Sequence, residues 1–121
     1  MNKFLNRLIG NKGEDIASDF LKDLGYKIIE RNYHYSKNAE IDIIAAEDDC
    51  LVFAEVKTRN NLNCGHPFEA IDYKKLQKIQ SAAYSYLSLH ADKYKSFRID
   101  GIAIIGLDKP KIEHIKNIGQ Y

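Results

Sequence analysis

Apolar residues recur along this chain with two different periods. Across residues 14–24, Ile16, Ala17, Phe20, Leu21 and Leu24 return at three- and four-residue steps, which predicts a helix closed by Gly25 as its C-cap. Gly13 stands just before it, and residues 1–9 form either a short helix or a loose terminus. Across residues 72–90, Leu76, Ile79, Ala83 and Leu87 repeat the helical spacing and predict a second, longer helix. Between the two helices the pattern shortens. Residues 26–35, centred on Ile28 and Ile29, read as a first strand, and residues 40–44 and 51–57 read as the two arms of a hairpin. Asn, Gly, His and Pro make 58–67 a loop. After the second helix, 97–105 reads as a fourth strand, 106–110 as a turn, and 111–118 as an edge strand of mixed face.

This order constrains the topology. Three strands joined without a helix form an antiparallel meander, and the long helix then allows the next strand to join in parallel. The expectation is an α/β domain with a central mixed β-sheet flanked by helices, formed by residues 1–121 as a single unit.

Three charged residues break the hairpin pattern: Asp42 in Glu40-Ile41-Asp42-Ile43-Ile44, and Glu55 and Lys57 in Leu51-Val52-Phe53-Ala54-Glu55-Val56-Lys57. Folding symmetrically about Asp48-Asp49 sets Asp42 opposite Glu55, with Cβ atoms roughly 5 Å apart on one face. Lys57, two residues on, projects from that face, and Ile44, Leu51 and Phe53 alternate onto it. Opposed carboxylates repel unless a cation lies between them. Hard oxygen ligands favour Mg²⁺ or Mn²⁺, held by Asp42, Glu55 and, where the sheet frays, the carbonyl of Val56. Such an ion suits phosphodiester hydrolysis. Lys57 would orient or deprotonate the attacking water, or neutralise the transition state. Glu14, at the margin of the first helix's apolar face, would complete the cluster, while Asp15 points to solvent.

Composition narrows the picture. The formal net charge is +1, so nucleic-acid contact needs a local basic patch rather than a basic chain. Arg31, Asn32, Arg59, Lys75 and Lys78 are the candidates for phosphate contacts. No apolar run reaches a membrane span and no secretory signal is visible, so a cytoplasmic protein without membrane contact is expected. Cys50 and Cys64 have neither redox nor zinc spacing and are read as reduced thiols. The absence of a Gly-rich phosphate loop argues against a kinase or small-molecule phosphatase.

The pattern Asp42…Glu55-Val56-Lys57 with an upstream Glu14 resembles the PD-(D/E)xK nuclease superfamily. More closely, the chain resembles the YraN-like family of small predicted endonucleases. The matching pieces include Gly13-Glu14, Gly25-Tyr26, Arg31-Asn32, Glu40 to Ala45, Leu51 to Arg59, Gly65-His66-Pro67, Lys75 and Arg98-Ile99-Asp100. The resemblance implies a restriction-endonuclease-like three-layer core similar to archaeal Holliday-junction resolvases. It places metal-binding acids at Asp42 and Glu55, the lysine at Lys57 and the helical acid at Glu14. Ile41 replaces the superfamily's proline and Ala39 the family's usual glycine, and neither removes a reactive group.

Structural alternatives stand beside each assignment. Glu14 in a first helical turn would favour the macrodipole. Asp42 could face solvent, and Glu55 with Lys57 could be an exposed pair worth little. Arg98 and Asp100 share a strand face and read as a structural ion pair. Tyr33, Tyr35 and Tyr73 read as core packing rather than base stacking, and His34, His66, His90 and His114 as surface residues. Two functions follow. One is a metal-dependent nuclease acting on DNA in preference to RNA, possessing branched or structured DNA as a substrate class by analogy. The other is a non-catalytic nucleic-acid-binding or interaction module on the same scaffold. A homodimer would extend the groove over two copies, although no residue identifies its interface.

Overall fold

The computed structural model describes residues 3–118 except 38, 64 and 107. Among them the order is α1 (Lys3–Asp23), β1 (Lys27–Ser36), β2 (Ala39–Glu47), β3 (Cys50–Arg59), α2 (Tyr73–Leu89), β4 (Ser96–Ile105) and β5 (Lys111–Ile115), with one 3₁₀ turn at Pro67–Ala70 before α2. Cys64 lies outside the described residues, and Cys50 is a free, half-buried thiol.

α1 begins well before residue 14, so Gly10 and Gly13 lie within it. Gly13 is buried, and a Cβ there would collide with the side chain of Thr58 on β3. The glycine marks close approach of helix to strand rather than a helix start. At the other end, Gly25 takes φ +95°. Its N–H donates to the Lys22 carbonyl at 2.9 Å, and the Tyr26 N–H donates to Leu21 at 3.0 Å. This paired capping pattern leaves Tyr26 and Leu21 in one apolar cluster. α2 starts at the cap Asp72, whose carboxylate accepts the Lys75 N–H at 2.8 Å.

The five strands lie in sequence order, β1 to β5. All neighbours are antiparallel except β3 and β4, which are parallel because α2 carries the chain back between them. Each face of the sheet buries its own cluster. Ala17 and Leu21 of α1 pack on Ile43, Ala45, Val52, Ala54, Ile102 and Ile104. Ile79, Ala82, Ala83 and Tyr86 of α2 pack on Ile44, Leu51, Phe53 and Ile99. The result is a three-layer α/β arrangement around a mixed sheet, consistent with a restriction-endonuclease-like core. No helix among the described residues is long and apolar enough to cross a membrane.

Several expectations are corrected. β3 runs on to Arg59, so the loop starts later, and β5 ends at Ile115 rather than 118. Ile118 instead packs toward α2, its N–H donating to the Ile99 carbonyl at 2.7 Å. Tyr35 and Tyr73 are exposed, because only Tyr33 finds a core partner, the ring of Tyr86. The His114 side chain is only 9% exposed, because it is drawn in to bond Asp100. His66 pairs with Glu113, and its Nδ1 accepts the Phe68 N–H at 3.1 Å.

Candidate metal and phosphodiester site

The β2–β3 hairpin pairs Glu47 with Cys50 and continues in the symmetric register to Ile43 opposite Ala54. The next opposed positions are Asp42 and Glu55, and there the backbone ladder stops. Asp42 Oδ2 takes the N–H of Val56 at 2.8 Å. A residue's N–H and C=O face the same neighbouring strand in an antiparallel ladder, so the Val56 carbonyl faces the gap that Asp42 has opened.

β1 explains the gap. Between the pairs Arg31–Ile43 and Tyr33–Ile41 lie Asn32 and Asp42. Ile43 belongs to the α1-side cluster, while Tyr33 and Ile41 pack on the α2 side. Positions two apart on a regular strand share a face, so both strands change face across Asn32 and Asp42. Asn32 absorbs the change with φ +55°. With its amide nitrogen turned toward the acids, Asn32 also donates to Glu14 Oε1 and to Glu40 Oε1, each at 3.0 Å.

Glu55 is 2% exposed. Its Oε1 lies 3.3 Å from Lys57 Nζ and 3.4 Å from Lys75 Nζ. Its Oε2 is buried with no hydrogen-bond partner. Burial and then the charge of Glu55 push the Asp42 carboxyl up to about 8, against the pull of the Val56 N–H; Glu14 raises it further and Lys75 opposes. Glu14 is raised by burial, with Arg31 pulling it back. Two adjacent acids, one with an orphaned oxygen and one held protonated to high pH, suit a bound cation. Among the described residues no three His, Cys, Asp or Glu side chains gather into a metal cage. The donors on offer are therefore two carboxylates and a main-chain carbonyl, a set suited to Mg²⁺ or Mn²⁺, which retain several waters.

The other candidates separate. Glu14 lies in mid-helix, so the first-turn explanation is removed, and it lines a cavity of about 250 Å³ with Asn6, Gly10, Lys57 and Arg59. Arg31 is spent on acids, 2.8 Å from Asp15 and 3.7 Å from Glu14. Arg31 and Asn32 thus hold Glu14 in this structure. Arg59 donates to the Thr58 carbonyl at 3.0 Å on the cavity wall. Lys78 is exposed on α2. Lys75 belongs to the carboxylate site itself, a contact between α2 and β3 that sequence spacing gave no way to find.

Comparison with known proteins identifies the family. The model of the uncharacterised protein family UPF0102 matches residues 13–104. The chain belongs to UPF0102. A UPF0102 protein from Chloroherpeton thalassium is 46% identical over 106 residues, covering 88% of this chain and 81% of the relative. One from Chlorobium phaeobacteroides is 42% identical over 121 residues, covering 94% and 95%. One from Dictyoglomus thermophilum is 46% identical over 100 residues, covering 83% and 84%. The span matched by the UPF0102 model runs from Gly13 to Ile104 in β4 and so includes Glu14, Asp42, Glu55, Lys57 and Lys75.

Proposed function

We propose that this UPF0102 protein is a Mg²⁺- or Mn²⁺-dependent endonuclease that hydrolyses DNA phosphodiesters, with branched or structured DNA as the favoured substrate class. The observation that carries the reading is the buried Glu55 carboxylate, with one oxygen unpartnered, opposite an Asp42 held protonated to about 8. An arrangement kept only for stability would give Glu55 Oε2 a donor and would not set Asp42 beside a second buried carboxylate.

Asp42, Glu55 and the Val56 carbonyl would hold the ion. When bound, the ion supplies positive charge to the phosphoryl oxygens and a water of lowered pKa. Lys57, held by Glu55, donates hydrogen bonds to the attacking water and offsets charge building on the phosphoryl group. Glu14 stands on the cavity wall beside Lys57, kept in place by Arg31 and Asn32. Arg59 supplies a phosphate contact on the cavity wall.

The test is cleavage of duplex, branched and single-stranded DNA, and of RNA, by purified protein with Mg²⁺ or Mn²⁺. Asp42→Asn and Glu55→Gln should each reduce cleavage by about 10³-fold or more. Cleavage undiminished in the double variant would overturn the assignment. Salt-dependent binding without turnover, unaffected by Asp42→Asn, would establish a binding module instead.

A further inference from the structure

Lys57 and Lys75 crowd one oxygen of a single carboxylate. Their ammonium groups sit 3.3 and 3.4 Å from Glu55 Oε1. A divalent ion seated on the unpartnered Oε2, beside Asp42, would bring a third cation to a carboxylate whose Oε1 already carries two ammoniums, and like charges at that range repel. That repulsion favours withdrawal of the more loosely held lysine. Lys57 springs from β3 two residues beyond Glu55 and its side chain is 25% exposed. Lys75 reaches in from the first turn of α2 on a long flexible stem, and its side chain is 35% exposed. Lys75 is the more exposed of the two and is not fixed by the strand that carries Glu55.

We propose that Lys75 is a built-in counter-ion of Glu55, displaced when the divalent ion binds and then free to contact a phosphate of the nucleic acid. This rests on the nuclease-site reading above and adds to it a coupling between ion and substrate. Without the ion, Lys75 is committed to Glu55. With it, the same charge faces the substrate, so each ligand favours binding of the other. Lys75 is accordingly a positioning residue for the ion and a binding residue for phosphate.

Calorimetric titration of Mn²⁺ into the nucleic-acid-free protein reads the first half. Lys75→Met keeps the stem and removes the competing charge, so Mn²⁺ should bind roughly three- to tenfold more tightly than to wild type. Lys74→Met removes an equal charge from the exposed side of α2 and should leave Mn²⁺ affinity unchanged. The second half is read from the salt dependence of duplex DNA binding, with Ca²⁺ in place of Mn²⁺ to hold cleavage back. In Ca²⁺ the log–log slope of Lys75→Met should be shallower than wild type by about one unit, and in EDTA the two slopes should coincide. Mn²⁺ affinity equal to or weaker than wild type in Lys75→Met, or the same slope difference in EDTA as in Ca²⁺, overturns the role of Lys75 while leaving the ion site standing. Failure of wild type to bind Mn²⁺ at all overturns the ion site and this coupling together.

Discussion

Asp100 on β4 and Glu55 on β3 lie one residue apart in the parallel register, and both are nearly closed to solvent. They face opposite layers, and their surroundings differ in kind. Asp100 accepts from Arg98 Nε at 3.0 Å, from His114 Nε2 at 2.8 Å and from the Asn117 N–H at 3.0 Å. Arg98 in turn donates to Glu47 at 2.9 Å and to the Tyr26 hydroxyl at 2.7 Å. Burial would raise Asp100, but His114, the Asn117 N–H and Arg98 outweigh it and hold its carboxyl below the usual range. Glu55 has the converse situation: one overloaded oxygen, one empty, and Asp42 across from it pushed up. One sheet therefore carries a closed polar network on its α1 side and an open one at the β2–β3 gap. A buried acid whose acceptors are all answered holds a fold together; a buried acid with an unpartnered oxygen and a second carboxylate beside it costs the fold stability.

Substitution should separate the two at once. Asp100→Ala removes the buried acceptor shared by Arg98, the His114 ring and the Asn117 N–H, and should destabilise the protein by about 3–5 kcal/mol, read as a fall in the urea midpoint. Asp42→Asn should have the opposite sign in EDTA at pH 8. The new amide can still accept the Val56 N–H while donating toward Glu55, and a gain of about 1–2 kcal/mol is expected. If Asp42→Asn destabilises as Asp100→Ala does, the two sites are of one kind and the contrast fails.

The pH dependence sharpens the same contrast. The folded-state carboxyl of Asp42 lies at about 8, above its ordinary value of 3.8. Its contribution to stability is therefore full below 3.8 and is lost as pH rises through about 8. Asp100 is lowered, so its contribution is full above 3.8 and is lost as pH falls through its folded value. In EDTA the advantage of Asp42→Asn over wild type should grow steadily between pH 4 and 9, with most of the change complete near pH 8. Saturating Mg²⁺ should restore wild-type stability on the alkaline side, because it replaces the proton. An advantage that stays flat across that range would mean that Asp42 is not held protonated by its neighbours.

The acid pair was legible in the sequence because it depends on local rules. A hairpin closing on Asp48-Asp49 fixes its own register, and the two-residue period then assigns Asp42, Glu55 and Lys57 to a face. The mixed sheet was legible because helix-free links force antiparallel neighbours. What escaped depends on distant partners. Lys75 meets Glu55 only because α2 returns over the sheet. His114 is drawn inward because it bonds Asp100, on a different strand. Gly13 reads as a helix boundary until Thr58 is seen against it. Arg31 and Asn32 read as phosphate contacts because nothing local shows that Glu14 claims both.

Asn32 offers the finest cut between fold and site. Its φ of +55° lets β1 and β2 change face beside Asp42, and its amide reaches Glu14 and Glu40. Asn32→Gly keeps the backbone freedom and loses the amide, whereas Asn32→Ala loses both. Asn32→Ala should therefore be less stable than Asn32→Gly by about 0.5–1 kcal/mol, since a Cβ in the left-handed region is penalised. Cleavage should fall by a similar small factor in both, because Glu14 loses the same donor in each. Equal stability of the two variants would show that the turn at Asn32 is not what opens the gap, and that the orphaned face of Glu55 is shaped by β3 alone.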